Sequence, residues 1–341
     1  MKKLSLLFLA LASFVSVSTA NAATITETFA AHPLQSGWQI FGDTNLFHWD
    51  STNQNLQVTW DSSRTNSYFH QPLGTILARD DDFSIEFDLR LNDIASNTEP
   101  GKTGPSQIAI GFQNLAGASS TNFKRGYYGS AFNVVEFNYF TSGYYEFGGI
   151  FPVNPTTTPA FISSGGFSFA PTVFTPYEVE IPTNLWVRVV MNYTASNQTM
   201  TASLSTNGLL MAQLPDLVLT NSGTSGFTAT DDFRVDTFSI ISYSSFGNDF
   251  DSVLAHGVVD NVVVTVPPPP VQYLTGAFSN GVWQVHFENR TNWIYTLERT
   301  GDFQSWTVAS EATAGNGGTL TLPATNLISS EAFFRVRANR P

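Results

Sequence analysis

Two short stretches of this sequence carry acidic side chains in surroundings that read as β-strand. In residues 83–91, Ile85, Phe87, Leu89 and Leu91 alternate with Ser84, Glu86, Asp88 and Arg90. Side chains of a strand point alternately to its two faces, so the apolar set points one way and Glu86 and Asp88 the other. In residues 134–140, Val135, Phe137 and Tyr139 likewise oppose Glu136, Asn138 and Phe140. Acids on one face of a sheet can transfer protons, coordinate a hard cation or hydrogen-bond a polar ligand. They can also be the solvated side of a half-buried strand, which is polar for solubility alone. The spacing leaves these uses open, and Glu86, Asp88, Glu136 and Asn138 are the first candidate ligand-binding residues.

Aromatic side chains are the second group. Sugar rings present C–H faces that stack on Trp and Tyr, so exposed rings beside polar groups suit glycan binding. Trp49, Tyr127, Tyr128, Tyr144 and Tyr145 fall near strand ends or in loops. If its segment is a strand, each tyrosine pair sends one ring outward. Packing into a core is the competing use of every one of these rings. The five histidines are scattered, without His-x-His or His-Glu-x-x-His spacing, and there is no Gly-x-Ser-x-Gly elbow.

The elements that must position these residues are strands. Residues 24–29, 38–41, 56–60, 83–91, 107–112, 132–140, 186–193, 200–205, 235–242 and 258–266 are rich in Val, Ile, Phe, Tyr and Thr and are separated by Asn, Gly, Ser and Asp. No stretch sustains a helical period, so the composition predicts an all-β sandwich or barrel. The four prolines at 267–270 cannot join a ladder and predict a linker. Residues 23–266 then form the large domain, and residues 271–341 a small β-rich module with strands at 282–287, 294–298, 306–308, 319–322 and 332–337. Residues 150–176 carry Phe161, Phe167, Phe169 and Phe174 in a long loop that reads as a lid.

Composition narrows the classes of partner. Lys2 and Lys3, the apolar run from Leu4 to Val17 and Ala20-Asn21-Ala22 read as a signal peptide over residues 1–22. It is too short to stay as an anchor. The expected product is exported, whether periplasmic, cell-surface or extracellular, with no transmembrane segment after cleavage. Cysteine is absent, which removes disulfides, thiol nucleophiles and Cys-ligated zinc. Residues 23–270 hold 22 acidic against 8 basic side chains, and residues 271–341 hold five of each. Such a surface repels nucleic acid and favours divalent cations or neutral sugars.

The runs GWQIFGDTNLFHWDSTNQNLQVTWDSS, DDFSIEFDLRL, LWVRVVMNYTASNQTMTASLSTNG and GVVDNVVV together resemble the concanavalin A-like lectin/glucanase superfamily. The resemblance implies a two-sheet jelly roll from Ala23 to about Val266. The C-terminal YTLERTGDFQSWTVASE and AFFRVRANRP resemble a small module appended to exported bacterial proteins. Glucanases of this superfamily carry Glu-x-Asp-x-x-Glu on one strand, which places two carboxylates for retaining hydrolysis. Here Glu86-x-Asp88 is followed by Leu91 and Glu136-x-Asn138 by Thr141, so the second glutamate is missing. Legume-type lectins carry Val-Glu-Phe-Asp on their metal-binding strand, and Val135-Glu136-Phe137-Asn138 departs from it by a neutral Asn. Jelly-roll modules also hold structural calcium where first and last strands meet, a position matched by Glu27 and Asp260. Asn248, Asp249 and Asp251 form a second oxygen-rich stretch. The expected function is non-catalytic polysaccharide or glycan binding. A surface or matrix structural protein is the alternative, and a glycan hydrolase or lyase with a non-standard acid pair is the third reading.

Overall fold

A computed structural model describes residues 22–96, 98, 107–121, 123, 133–140, 145–146, 149–150, 156–157, 160–163, 166–167, 169–171, 181–213, 216–219, 233–244, 252–279, 281–325 and 332–341. The chain divides into two compact units, Ala22–Pro269 and Pro270–Pro341. The large unit is an all-β jelly-roll sandwich. Its strands are β1 (Ala23–Glu27), β2 (Gln39–Phe41), β3 (Phe47–Asp50), β4 (Asn55–Asp61), β5 (Ser67–Leu77), β6 (Phe83–Ser96), β7 (Gln107–Gln113), β8 (Val134–Phe140), β9 (Trp186–Thr194), β10 (Thr199–Thr206), β11 (Val235–Ser242) and β12 (Val253–Val266), with short helical turns at Pro33–Gln35, Thr44–Leu46 and α1 (Leu115–Ala118). Shorter strands complete the edges.

One sheet runs β10-β9-β6-β12-β4-β3, with β1 also on β12; the other runs β8-β7-β11-β5-β2. All of these pairs are antiparallel. The described parts of 150–176 are strands. Ala160–Ser163 pairs with β8 and Phe169–Pro171 with Leu217–Leu219, so they extend sheet edges rather than form a lid. The rest of that segment lies outside the described residues.

The inward faces meet in a layer of aromatic and branched side chains. Ile85, Phe87, Leu89 and Leu91 of β6 and Val135, Phe137 and Tyr139 of β8 are all fully buried in it. Phe87 and Phe137 touch edge to face across the layer, with ring centroids 5.7 Å apart. Trp38 stacks on Phe69 at 4.8 Å, and Phe83 on Tyr193 at 4.9 Å. Geometries of this kind add to the burial of the rings themselves.

Strand β5, a middle strand of its sheet, has no counterpart among the strands read from the sequence. Pro72 and Gly74 interrupt its alternation, and Gly74 sits at φ 69°. The β11–β5 ladder slips at this point, between Val235 and Thr237. A proline and a left-handed glycine are tolerated in a middle strand where the ladder is broken by a bulge.

The small unit contains one sheet of β13 (Val271–Ser279), β14 (Val282–Asn289) and β17 (Thr319–Pro323), and a second in which β15 (Ile294–Thr300) pairs with β16 (Thr307–Val308) and β18 (Phe333–Asn339). Tyr295 is its pivot: the hydroxyl donates to the carbonyls of Pro270 and Arg290 and accepts from Arg290 N–H, while the ring lies 5.2 Å from Phe287. Burial holds the Tyr295 hydroxyl above its ordinary pKa, against the opposing pull of the Arg290 backbone and charge.

Truncating Phe87 leaves a hole opposite Phe137. Phe87→Ala is expected to lower unfolding free energy by about 3–5 kcal/mol, measured by urea denaturation.

Candidate functional site

Glu86 and Asp88 lie on the outward face of β6, and their partner is a residue that spacing alone did not flag. Strand β9 pairs with β6 in a register that sets Arg188 opposite Asp88. The Arg188 guanidinium donates to Glu86 Oε2 at 2.8 Å, to Asp88 Oδ1 at 3.2 Å and to the carbonyl of Asn261 at 2.7 Å. Asn261 returns its side-chain amide to Asp88 Oδ2 at 2.8 Å. It can do so because β12 bulges between Asp260 and Val263, with Asn261 at φ 48°; Asn tolerates this left-handed conformation better than most residues. One row away, Arg90 lies over the Trp186 ring at 5.0 Å. The two acids are therefore members of an ion-pair network that ties three strands together.

Glu136 is on the other side of the molecule. Phe87 and Phe137 face each other through the core, so their neighbours Glu86 and Glu136 point away from the core in opposite directions. Glu86 and Glu136 therefore lie on opposite outward faces and do not share one groove. Glu136 is also not solvated: it is fully buried, and Oε2 accepts from the Tyr243 hydroxyl at 2.7 Å. Asn138 pairs with Ala109 in the ladder, and its side chain lies outside the described residues. Tyr127, Tyr128 and Tyr144 lie outside them altogether, and Tyr145 is described only as backbone in the strand Tyr145–Glu146.

The outward face that holds Glu136 carries a polar row that crosses five strands. The ladders pair Gln39 with His70, His70 with Ser239, Ser239 with Gly111, and Gly111 with Glu136. Gly111 is required, because a Cβ there would come within 2.4 Å of Glu136 Cα. Gln113 donates its side-chain amide to Ser239 Oγ at 3.0 Å. His70 is 3 % exposed and Gln113 fully buried, yet His70 Nδ1 and Gln113 Oε1 have no hydrogen-bond partner among the described residues. Burial pushes the His70 imidazole below its ordinary pKa, with the Asp236 carboxylate opposing.

Beside this row lies a small apolar shoulder of Tyr68, Ala109, Ala118, Phe123, Val134, Ile241 and Tyr243. Tyr68 donates to the Ala118 carbonyl at 2.9 Å, and its ring stacks on half-buried Phe41 at 5.3 Å. Burial, with the Glu136 charge adding, holds the Tyr68 phenol far above its ordinary pKa. Gln39 and Phe41 share the outward side of edge strand β2, so the row opens at that edge: Gln39 and Pro72 are exposed on either side of His70.

The remaining candidates have structural partners. Trp49 is half-buried; its indole N–H donates to the Phe29 carbonyl at 2.9 Å and its ring lies 4.8 Å from His32. Glu27 is nearly buried and accepts from Phe29 N–H at 2.6 Å, Ser36 Oγ at 3.0 Å and Trp38 Nε1 at 3.0 Å. Asp260 sits opposite Asp88 and accepts from Asn261 N–H at 2.7 Å. Its carboxyl is held above the ordinary range chiefly by burial, with the charges of Asp88 and Glu27 adding and the Asn261 bond opposing.

Calcium takes six to eight oxygens, whereas Glu27 already accepts three protein donors. Among the described residues, no group of three or more acids or histidines is placed to hold a metal ion. Glu27 thus commits its carboxylate to the Phe29, Ser36 and Trp38 donors, and Asp260 accepts from the Asn261 N–H. Asn248, Asp249 and Asp251 lie outside the described residues.

No family model matches the sequence, and no curated protein matches it. Among solved structures the chain is similar to legume lectins. With lectin I of Ulex europaeus, bound to the methyl glycoside of α-L-fucose, it shares 15% identity at a TM-score of 0.41, over 72% of this chain and 98% of the lectin. With peanut lectin, bound to a nine-residue peptide, the figures are 13% and 0.39, over 71% and 99%. With winged bean acidic lectin, bound to methyl-α-D-galactose, they are 9% and 0.37, over 72% and 99%. These likenesses transfer no ligand to this chain.

Two outcomes follow from these partners. Glu27→Ala leaves the Phe29 N–H and the Trp38 indole N–H without their acceptor, while Ser36 Oγ keeps the Pro33 carbonyl, and is expected to cost about 2–3 kcal/mol in urea denaturation; EDTA is expected to leave the wild-type melting temperature unchanged. His70 has a folded pKa below its unfolded value near 6.5, so the unfolded chain binds the proton more readily. Its contribution is full above that value and is lost as pH falls through the folded pKa. Stability measured from pH 7.5 to pH 5 is expected to fall less steeply in His70→Gln than in wild type.

Proposed function

We propose that this chain is an exported, non-catalytic protein that binds neutral glycans on the outward face of the β8-β7-β11-β5-β2 sheet. One observation carries the reading: two buried polar atoms without partners among the described residues, His70 Nδ1 and Gln113 Oε1, lie on one face with the Ser239 hydroxyl between them. Each such atom costs about 1–3 kcal/mol while unmet. A polyol supplies donors and acceptors together, and the half-buried Phe41 ring, backed by the buried Tyr68 ring, offers a surface for the C–H face of a sugar ring. The acidic excess of residues 23–270 favours a neutral ligand over a polyanion.

The non-catalytic part rests on the acids. Retaining hydrolysis needs two carboxyl groups about 5–5.5 Å apart; Glu86 and Asp88 are both bound to Arg188, and Glu136 faces the opposite way. Export rests on the leader-like residues 1–22. No helix among the described residues is long and apolar enough to cross a membrane.

The test is retention on a panel of neutral polysaccharides and on a glycan array. Wild type is expected to bind at least one glycan equally in calcium and in EDTA. His70→Ala and Gln113→Ala should weaken that binding about tenfold, the equivalent of one lost hydrogen-bonded contact. Glu86→Gln, on the opposite face, should bind as wild type. Retention on no glycan, or unchanged binding by both variants, rules the reading out in favour of a purely structural role.

A further inference from the structure

We propose that the small unit carries a second saccharide-binding surface, independent of the site on the sandwich: the rings of Phe303 and Phe333 beside the Arg335–Glu298–Arg337 triad, suited to a neutral polysaccharide.

The platform is built by β18 and the turn after β15. Alternation puts Phe333, Arg335 and Arg337 on one face of β18, and the ladder sets them opposite Thr300, Glu298 and Thr296. After β15 the chain is pinned by side-chain caps. Thr300 Oγ1 accepts from the N–H groups of Asp302 and Phe303, and Asp302 Oδ1 accepts from those of Gln304 and Ser305 at 2.8 and 2.9 Å. The Ser305 and Gln304 donors, with the Thr300 hydroxyl, hold the Asp302 carboxyl below the ordinary range.

The outcome of this pinning is an unusual backbone. Phe303 sits at φ 60°, a region that bulky side chains avoid. The strain is not repaid by burial, because the ring is 58% exposed. It lies 4.2 Å from the ring of Phe333, itself 51% exposed. Strain held in place to present an apolar ring to solvent is the pattern of a binding surface rather than of a core.

The polar part is equally fixed. Glu298 is only 5% exposed; it accepts from Arg335 Nε at 2.8 Å and is ion-paired with Arg335 Nη2 at 2.8 Å and Arg337 Nε at 3.3 Å. Arg335 in turn lies 4.0 Å over the Trp306 ring, whose edge meets Phe303. The carboxylate is covered while the guanidinium groups stay half exposed, so the surface offers oriented N–H donors beside apolar rings. Seven of the eleven exposed large apolar side chains among the described residues lie between Tyr273 and Phe333, which sets this unit apart from the sandwich.

Donors beside aromatic faces match a ligand with acceptor oxygens on an apolar C–H framework, which is a sugar. The small unit carries five acids and five arginines, and the rest of the acidic chain repels polyanions. A neutral polysaccharide fits both conditions. Two sites on one chain would also raise retention on a repeating polymer by avidity.

The experiment uses the full chain and retention on cellulose, chitin, starch and mannan, with Phe303→Asn as the main variant. Asn tolerates the left-handed conformation, so this change removes the ring and leaves the turn. Phe303→Asn is expected to melt at or above the wild-type temperature and to be retained about tenfold more weakly on the polymer that wild type prefers; Arg337→Ala should weaken retention in the same direction. Loss in Phe303→Asn but not in His70→Ala supports this surface and overturns the one on the sandwich; the reverse pattern overturns this surface alone. The inference is also overturned if wild type is retained on none of the four polymers. It is equally overturned if the patch instead holds a second copy, seen as a concentration-dependent dimer that Phe303→Asn abolishes.

Discussion

The contact of Phe87 with Phe137 is the constraint from which the rest of the large unit follows. Two sheets of alternating strands can bury only one face each, and a layer of rings and branched side chains joins those faces. Once Ile85, Phe87 and Leu89 are committed inward, Glu86 and Asp88 must point out of one side of the sandwich. Once Val135, Phe137 and Tyr139 are committed inward, Glu136 must point out of the other. Sheets pack about 10 Å apart, so acids on the two outward faces cannot cooperate. A shared catalytic or metal-binding pair between Glu86 and Glu136 is excluded by the same packing that makes the fold stable.

The two outward faces then solve the problem of polar groups differently. On the β6 side, charges satisfy one another: Arg188 takes both acids and a backbone carbonyl, and the bulge at Asn261 supplies the remaining donor. Such a half-exposed network orders the strands, and one row away Arg90 Nε is buried without a hydrogen-bond partner among the described residues. On the β8 side, the polar row from Gln39 to Glu136 runs beside an apolar shoulder, and part of its hydrogen-bonding capacity is unmet among the described residues. Unmet capacity is the stronger indicator of a ligand, because a polar group without a partner costs free energy until a donor or acceptor meets it. The distinction separates a structural cluster of charges from a candidate site, although the sequence makes the charges the more conspicuous of the two.

The small unit follows a third pattern. With about 70 residues it has little interior to fill, and several of its rings end on the surface rather than in a core. Phe303 shows that this is more than a shortage of interior, since its backbone is held in an unfavourable conformation by the Thr300 and Asp302 caps.

The sequence by itself determined that the protein is all-β, that 83–91 and 134–140 are strands, and which side chains of each face inward. Period-two alternation is a local property, legible without knowing any partner strand. It could not show β5, because Pro72 and Gly74 break the period at a bulge, and with β5 it missed His70 as a member of a row. It also could not show that Arg188 lies opposite Asp88, that Glu27 is already bound by Trp38, or that Ser239 stands between His70 and Gly111. Those facts are registers and long-range contacts between strands separated by up to about two hundred positions. They exist only when the sheets assemble, because side chains become neighbours through hydrogen-bonded ladders and a common core, not through their spacing along the chain.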